Sequence, residues 1–112
     1  MTSAVPWDDA RRVVVVDGVR TPFAKAGTDL AEVSAVDLAR TAIRELLERT
    51  ELDPSEVDEV VLGNAAPPSD APNIARVAAL EAGIPQRVPA VSVARNCASG
   101  FQSITDAYDR IV

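Results

Sequence analysis

Apolar residues along this chain switch repeatedly between two spacings, and each switch marks a change of element. Val13 to Val16 is a continuous β-branched run bounded by Arg11-Arg12 and Asp17-Gly18, which predicts a strand buried on both faces. Residues 19–29, with Thr21-Pro22 and Gly27, read as loop. Ser34 and Asp37 then stand in the S/T-x-x-[DE] relation of a capping box, with Val33 and Leu38 placed for a hydrophobic staple. Behind them Ala35, Leu38, Ala39, Ala42, Ile43, Leu46 and Leu47 repeat at three and four while Arg40, Arg44, Glu45, Glu48 and Arg49 fall outside. An amphipathic helix covering a sheet is expected there.

Leu52-Asp53-Pro54-Ser55 stops that helix, and Val57 to Leu62 reads as a second strand ending at Gly63-Asn64. The prolines of residues 65–72 impose a loop. Asn73 is placed to cap a second helix through Leu80, apolar at Ile74, Val77, Ala78 and Ala82 and stopped by Gly83. Ala90 to Ala94 forms the third strand. From Asn96 or Cys97 the period changes again, with Ala98, Phe101, Ile104, Ala107, Tyr108 and Ile111 near one stripe of a third helix. The order is β-α-β-α-β-α, an α/β fold with parallel strands and right-handed crossovers. Three strands make a small sheet with two open edges, and the last helix carries no C-cap signal, so 112 residues are expected to be part of something larger. Residues 1–11 read as a flexible leader and residues 12–112 as one incomplete domain.

Composition agrees with a packed core and narrows the function. Hydrophobic residues make up 47% and charged residues 25%, the balance of a soluble globular chain, while aromatics at 4% leave Val, Leu, Ile and Ala to build the interior. Eleven Lys plus Arg against 17 Asp plus Glu give a charge of −6 without a basic run, so neither nucleic acid nor an anionic membrane is expected as partner. No apolar stretch approaches the roughly 20 residues of a membrane span. With one cysteine and no histidine, neither an internal disulfide nor a usual metal-ligand set can be assembled, which points to a metal-free chain in the cytoplasm.

The first strand-to-helix turn, Asp17-Gly18-Val19-Arg20, lacks both G-x-G-x-x-G and G-x-x-x-x-G-K, so a nucleotide-binding domain is not indicated. The third turn is different. Arg95-Asn96-Cys97-Ala98-Ser99-Gly100 puts the single cysteine at the carboxyl end of a strand and at the first residues of a helix, where ligands of open α/β sheets bind and where helix N–H groups favour a thiolate. A lone cysteine is more commonly a small buried hydrophobe, and a nucleophilic one needs a base that no histidine of this chain supplies. Two readings stand: Cys97 is inert, or its base comes from another segment or chain.

The run from Arg95 to Ile104, RNCASGFQSI, resembles the active-site segment of thiolases, the acetyl-CoA acetyltransferase and 3-ketoacyl-CoA thiolase family. Val15 to Phe23 is similar to the family's opening strand and R-T-P-F loop. Val60 to Asn64 and Asn73 to Arg76 are similar to its second strand and following helix. The resemblance is continuous over residues 12–112. It implies the first part of an N-terminal half in a layered fold of two similar halves, with Cys97 as the nucleophile that takes the acyl group from a 3-ketoacyl-CoA. It further implies that no tightly bound cofactor is needed, CoA being a substrate. The activating histidine, the second cysteine and the CoA-binding loops of the family have no counterpart among these residues, so the remainder of a thiolase in cis or in trans, in a homo- or hetero-oligomer, is the implied partner. Arg20, Thr21 and Pro22 are expected to anchor a loop, Phe23 to fill the core, Gly63 and Asn64 to make a tight strand exit, and Arg76 to serve a subunit contact or a solvated face. The rival reading is a non-catalytic thiolase-like half acting as a binding or assembly module.

Overall fold

The computed structural model describes residues 12–112; the leader expected over residues 1–11 lies outside them. The elements run α1 (Ala35–Thr50), a 3-10 turn (Pro54–Glu56), β1 (Val60–Gly63), α2 (Ile74–Glu81), β2 (Ala90–Val93) and α3 (Ser99–Ile111). β1 and β2 pair in parallel, Val60 opposite Ala90 through Gly63 opposite Val93, and α2 is the crossover between them. The mixed α/β class with parallel strands is therefore present, on a sheet of two strands.

The first of the three expected strands is absent. Val13 to Val16 belongs to no ladder, and Val15 and Val16 are 87% and 80% exposed. A β-branched run becomes a strand only where a neighbouring backbone offers its N–H and C=O groups. Among the described residues β1 pairs with β2 alone, and a cavity of about 450 Å³ lies between Val16-Asp17, the apolar side of α1 and the residues of β1. Phe23 also departs from expectation. It is 96% exposed rather than buried in the core.

α1 begins where the capping pattern places it. The Asp37 N–H donates to Ser34 Oγ at 3.0 Å and the Ser34 hydroxyl donates to the Asp37 carboxylate at 2.8 Å. Glu51, in the left-handed conformation at φ 54°, closes the other end. Asp53 accepts from the Ser55 N–H at 2.9 Å and caps the 3-10 turn over residues 54–56, and the second strand starts three residues later than its apolar run, at Val60, where pairing with Ala90 begins. Asn73 precedes α2 but does not cap it with its side chain. Its amide instead reaches the sheet, donating to the Ala90 carbonyl at 3.1 Å and accepting from the Ser92 hydroxyl at 2.9 Å.

The core gathers around α2. Ile74, Ala75, Ala78 and Ala79 are buried along it, and Ala79 joins Ile84 and Val88 in a cluster on which Ile43, Leu47, Val57, Val60 and Ala90 pack. Val60 thus faces α1 and α2. Gly63, of opposite parity along the strand, meets α3, so the sheet lies between two helical layers. Arg76 is half-buried rather than on a freely solvated face: its guanidinium donates to the carbonyls of Val88 at 2.9 Å and Gln86 at 3.0 Å, holding the approach to β2.

Candidate active site

The two strands end side by side, with the Asn64 N–H bonded to the Val93 carbonyl at 2.9 Å. The chain leaving β2 then turns through residues 94–98 before α3 begins. Cys97 lies in this turn, two residues before Ser99, so it precedes the helix instead of occupying its first positions as the apolar period suggests. The reason is local turn chemistry. Asn96 adopts the left-handed conformation at φ 46°, one of two non-glycine residues with positive φ among the described residues, and asparagine tolerates that region better than most.

Hydrogen bonds close the turn around Cys97. The Ala98 N–H donates to the Arg95 carbonyl at 3.0 Å and the Ser99 N–H to the Asn96 carbonyl at 3.2 Å. The Ser99 hydroxyl accepts from the Arg95 N–H at 2.8 Å and donates to the Asn96 carbonyl at 2.7 Å. Ser99 is 4% exposed and is the one buried polar residue among the described residues. Cys97 itself is exposed as a free thiol. It is not the small buried hydrophobe that a lone cysteine commonly is.

Neighbouring side chains fix the frame. Arg95 donates to Gln102 Oε1 at 2.7 Å and Gln102 donates to the Asp106 carboxylate at 2.6 Å, a polar chain from the turn along α3. Gly63 sits against the first residues of α3 so closely that a Cβ there would come within 2.6 Å of the Gly100 nitrogen and closer still to the Ser99 carbonyl. Glycine at 63 is required by that approach. The sequence pattern marks Gly63 as a strand exit and Ser99 as a small residue; the bridging role of the hydroxyl is legible only as a serine able to bond back three residues. Arg20 bonds to the neighbouring Thr21 carbonyl at 3.0 Å and lines an open depression with Gly18, Val19, Pro22 and Arg49, apart from the Cys97 turn. No group of three or more metal-ligating side chains occurs among the described residues. No helix there is long and apolar enough to cross a membrane.

A parallel βαβ unit with an exposed cysteine at the exit of its second strand defines an α/β chain, and comparison with known proteins gives its family. The model described as thiolase, N-terminal domain, matches residues 13–112, and the chain belongs to the thiolase family. Over 101 residues it is 43% identical to a 3-ketoacyl-CoA thiolase of Serratia proteamaculans, covering 90% of this chain and 23% of that protein. A probable acetyl-CoA acyltransferase of Staphylococcus epidermidis is 39% identical over 101 residues, 90% of this chain and 26% of its own. Among solved structures, the acetyl-CoA acetyltransferase of Bacillus anthracis matches with a TM-score of 0.81 at 40% identity, over 85% of this chain and 24% of that one. A thiolase from Ascaris suum in complex with coenzyme A matches with a TM-score of 0.80 at 31% identity, over 84% and 25%. The chain spans about a quarter of the length of the relatives it matches.

Proposed function

We propose that this chain supplies the nucleophile of a thiolase, and that the acyl group passes through a thioester on Cys97. The observation that carries the reading is the exposed Cys97 thiol in the turn at the carboxyl end of β2, within the RNCASG run. In the thiolytic direction the Cys97 sulfur, as thiolate, bonds to the 3-keto carbon of a 3-ketoacyl-CoA. The bond between C2 and C3 breaks, the acetyl-CoA carbanion takes a proton, and the acyl group stays on sulfur. The thiolate of CoA then displaces Cys97 and carries the acyl group away. Condensation of two acetyl-CoA molecules runs through the same thioester in reverse order.

The chain contains no histidine and no second cysteine, so the groups that move these protons come from the remainder of the thiolase, in cis or in trans. The exposed apolar stripe of α3, Phe101, Ile104, Tyr108 and Ile111, supports a larger assembly, homo- or hetero-oligomeric, in which another surface covers it. The Cys97 backbone N–H would join an oxyanion site for the reacting carbonyl. CoA enters as substrate, no tightly bound cofactor is required, and the cytoplasm is the compartment in keeping with a free thiol.

The test is Cys97→Ala in the assembled enzyme, read by thiolysis and by mass spectrometry of the peptide that holds residue 97 after mixing with acyl-CoA. Turnover should fall by roughly three orders of magnitude or more and the acyl adduct should vanish. Wild-type turnover in the variant, or an adduct mapping elsewhere, removes Cys97 as nucleophile and leaves the assembly-module reading.

A further inference from the structure

The hydrogen bonds around Cys97 converge on one side chain. Ser99 Oγ receives the Arg95 N–H and donates to the Asn96 carbonyl, so a single hydroxyl ties together the two residues before the cysteine from a position two residues after it. The Ser99 N–H bonds to the same Asn96 carbonyl at 3.2 Å. Rotating Asn96 out of its left-handed conformation would carry that carbonyl away from both donors at once. The far end of the bridge is rigid as well. Ser99 is the first residue of α3, and its carbonyl is pressed against Gly63 at the end of β1. The near end is held by the Arg95 side chain on Gln102.

We propose that Ser99 is a positioning residue of the thiolase site: its buried hydroxyl, bridging the Arg95 N–H and the Asn96 carbonyl, holds the turn that sets where the Cys97 sulfur stands. The proposal rests on Cys97 being the nucleophile. Ser99, 4% exposed, acts through the backbone on the near side of the cysteine. A thioester forms only when sulfur and carbonyl carbon meet in line at close range, and a misplacement near 1 Å at such a centre can cost about a hundredfold in rate. Substrate affinity, set elsewhere in the assembly, should respond little.

The experiment compares Ser99→Ala, Ser99→Thr and Ser99→Val in the assembled enzyme, with Cys97→Ala alongside. Thr and Val share a shape and differ in the hydroxyl, so their ratio isolates the bridge from any effect of added bulk. We expect Ser99→Ala to lower kcat and the rate of Cys97 acylation by about 10- to 100-fold with KM changed less than about threefold, and Ser99→Thr to exceed Ser99→Val by about tenfold or more. Equal rates for the Thr and Val variants, or a Ser99→Ala loss that lies in KM with kcat unchanged, overturns the positioning role while leaving Cys97 in place. Failure of both Ala and Val variants to fold assigns the hydroxyl to stability alone and overturns it too. Retention of turnover by Cys97→Ala removes the nucleophile itself, a result the serine variants cannot imitate.

Discussion

α2 and α3 pack on the same two strands, yet they are held by different means. α2 buries Ile74, Ala75, Ala78 and Ala79, because α1 covers the side that the sheet leaves open and alanine lets all three elements approach. α3 buries Ser99 alone. Its half-buried positions include Gln102, Thr105 and Asp106, while Phe101, Ile104, Tyr108 and Ile111 remain 51% to 70% exposed. What docks α3 is the close fit at Gly63, the Ser99 bridge and an ion pair at 2.8 Å between Arg110 and Glu59. Apolar burial is proportional to area and tolerant of small shifts, whereas a backbone fit and a few polar bonds demand position. The helix that follows the cysteine is thus the one whose place is set by geometry.

The largest expected effect comes from reversing the burial. Ile74→Ala empties a site that is 1% exposed and should destabilise the fold by about 2–5 kcal/mol, whereas Ile104→Ala, at 65% exposure, should stay within about 0.5 kcal/mol. Urea unfolding of both variants checks this, and similar losses at the two positions would break the contrast. Next comes Gly63→Ala. Its Cβ would press on the backbone of Ser99 and Gly100, which cannot swing aside as a flexible side chain would. A cost of about 1–3 kcal/mol is expected from overpacking, accompanied by loss of hydrogen-exchange protection in α3 and not in α2. Equal loss in both helices would mean that α3 is not docked separately.

The same contrast separates what the sequence makes legible from what it hides. α1 was readable at both ends because its signals are local: Ser34 and Asp37 at one end, Leu52-Asp53-Pro54 just beyond the other. The parallel βαβ order was readable because period and turn residues alternate along the chain. Val13 to Val16 has the composition of a strand, but pairing is settled by a backbone distant in sequence, and among the described residues β1 pairs only with β2. The place of Cys97 at a strand exit was legible, and its two-residue offset from α3 was not. That offset depends on a left-handed Asn96 and on a serine bonding back three residues, neither of which changes the apolar period. Arg76 looked like a surface charge since its carbonyl partners, Val88 and Gln86, belong to a loop with no pattern of its own.

The smallest expected effect belongs to exposed polar ties, and its sign follows from two carboxylates. The Asp37 carboxyl is held below its ordinary value of 3.8, first by the hydroxyl of Ser34 and then by the Arg40 guanidinium at 2.7 Å. Asp53 is lowered likewise by the Ser55 N–H. A carboxyl whose value is lower folded than unfolded favours the folded state when ionised, so its contribution is fully present above 3.8 and is lost as pH falls through the lowered folded value. Asp53 is exposed and Asp37 is only half-buried, which keeps the contribution small. Ser34→Ala removes both the acceptor for the Asp37 N–H and the donor to its carboxylate, and should cost about 1 kcal/mol near neutral pH. Part of that cost exists only while Asp37 is charged. Melting temperatures of wild type and variant should therefore lie furthest apart near neutrality and draw together on acidification below about pH 4. A gap that stays constant through the acid range would show that Ser34 acts on the helix N–H alone, and a gap that widens would give the Asp37 shift the wrong sign.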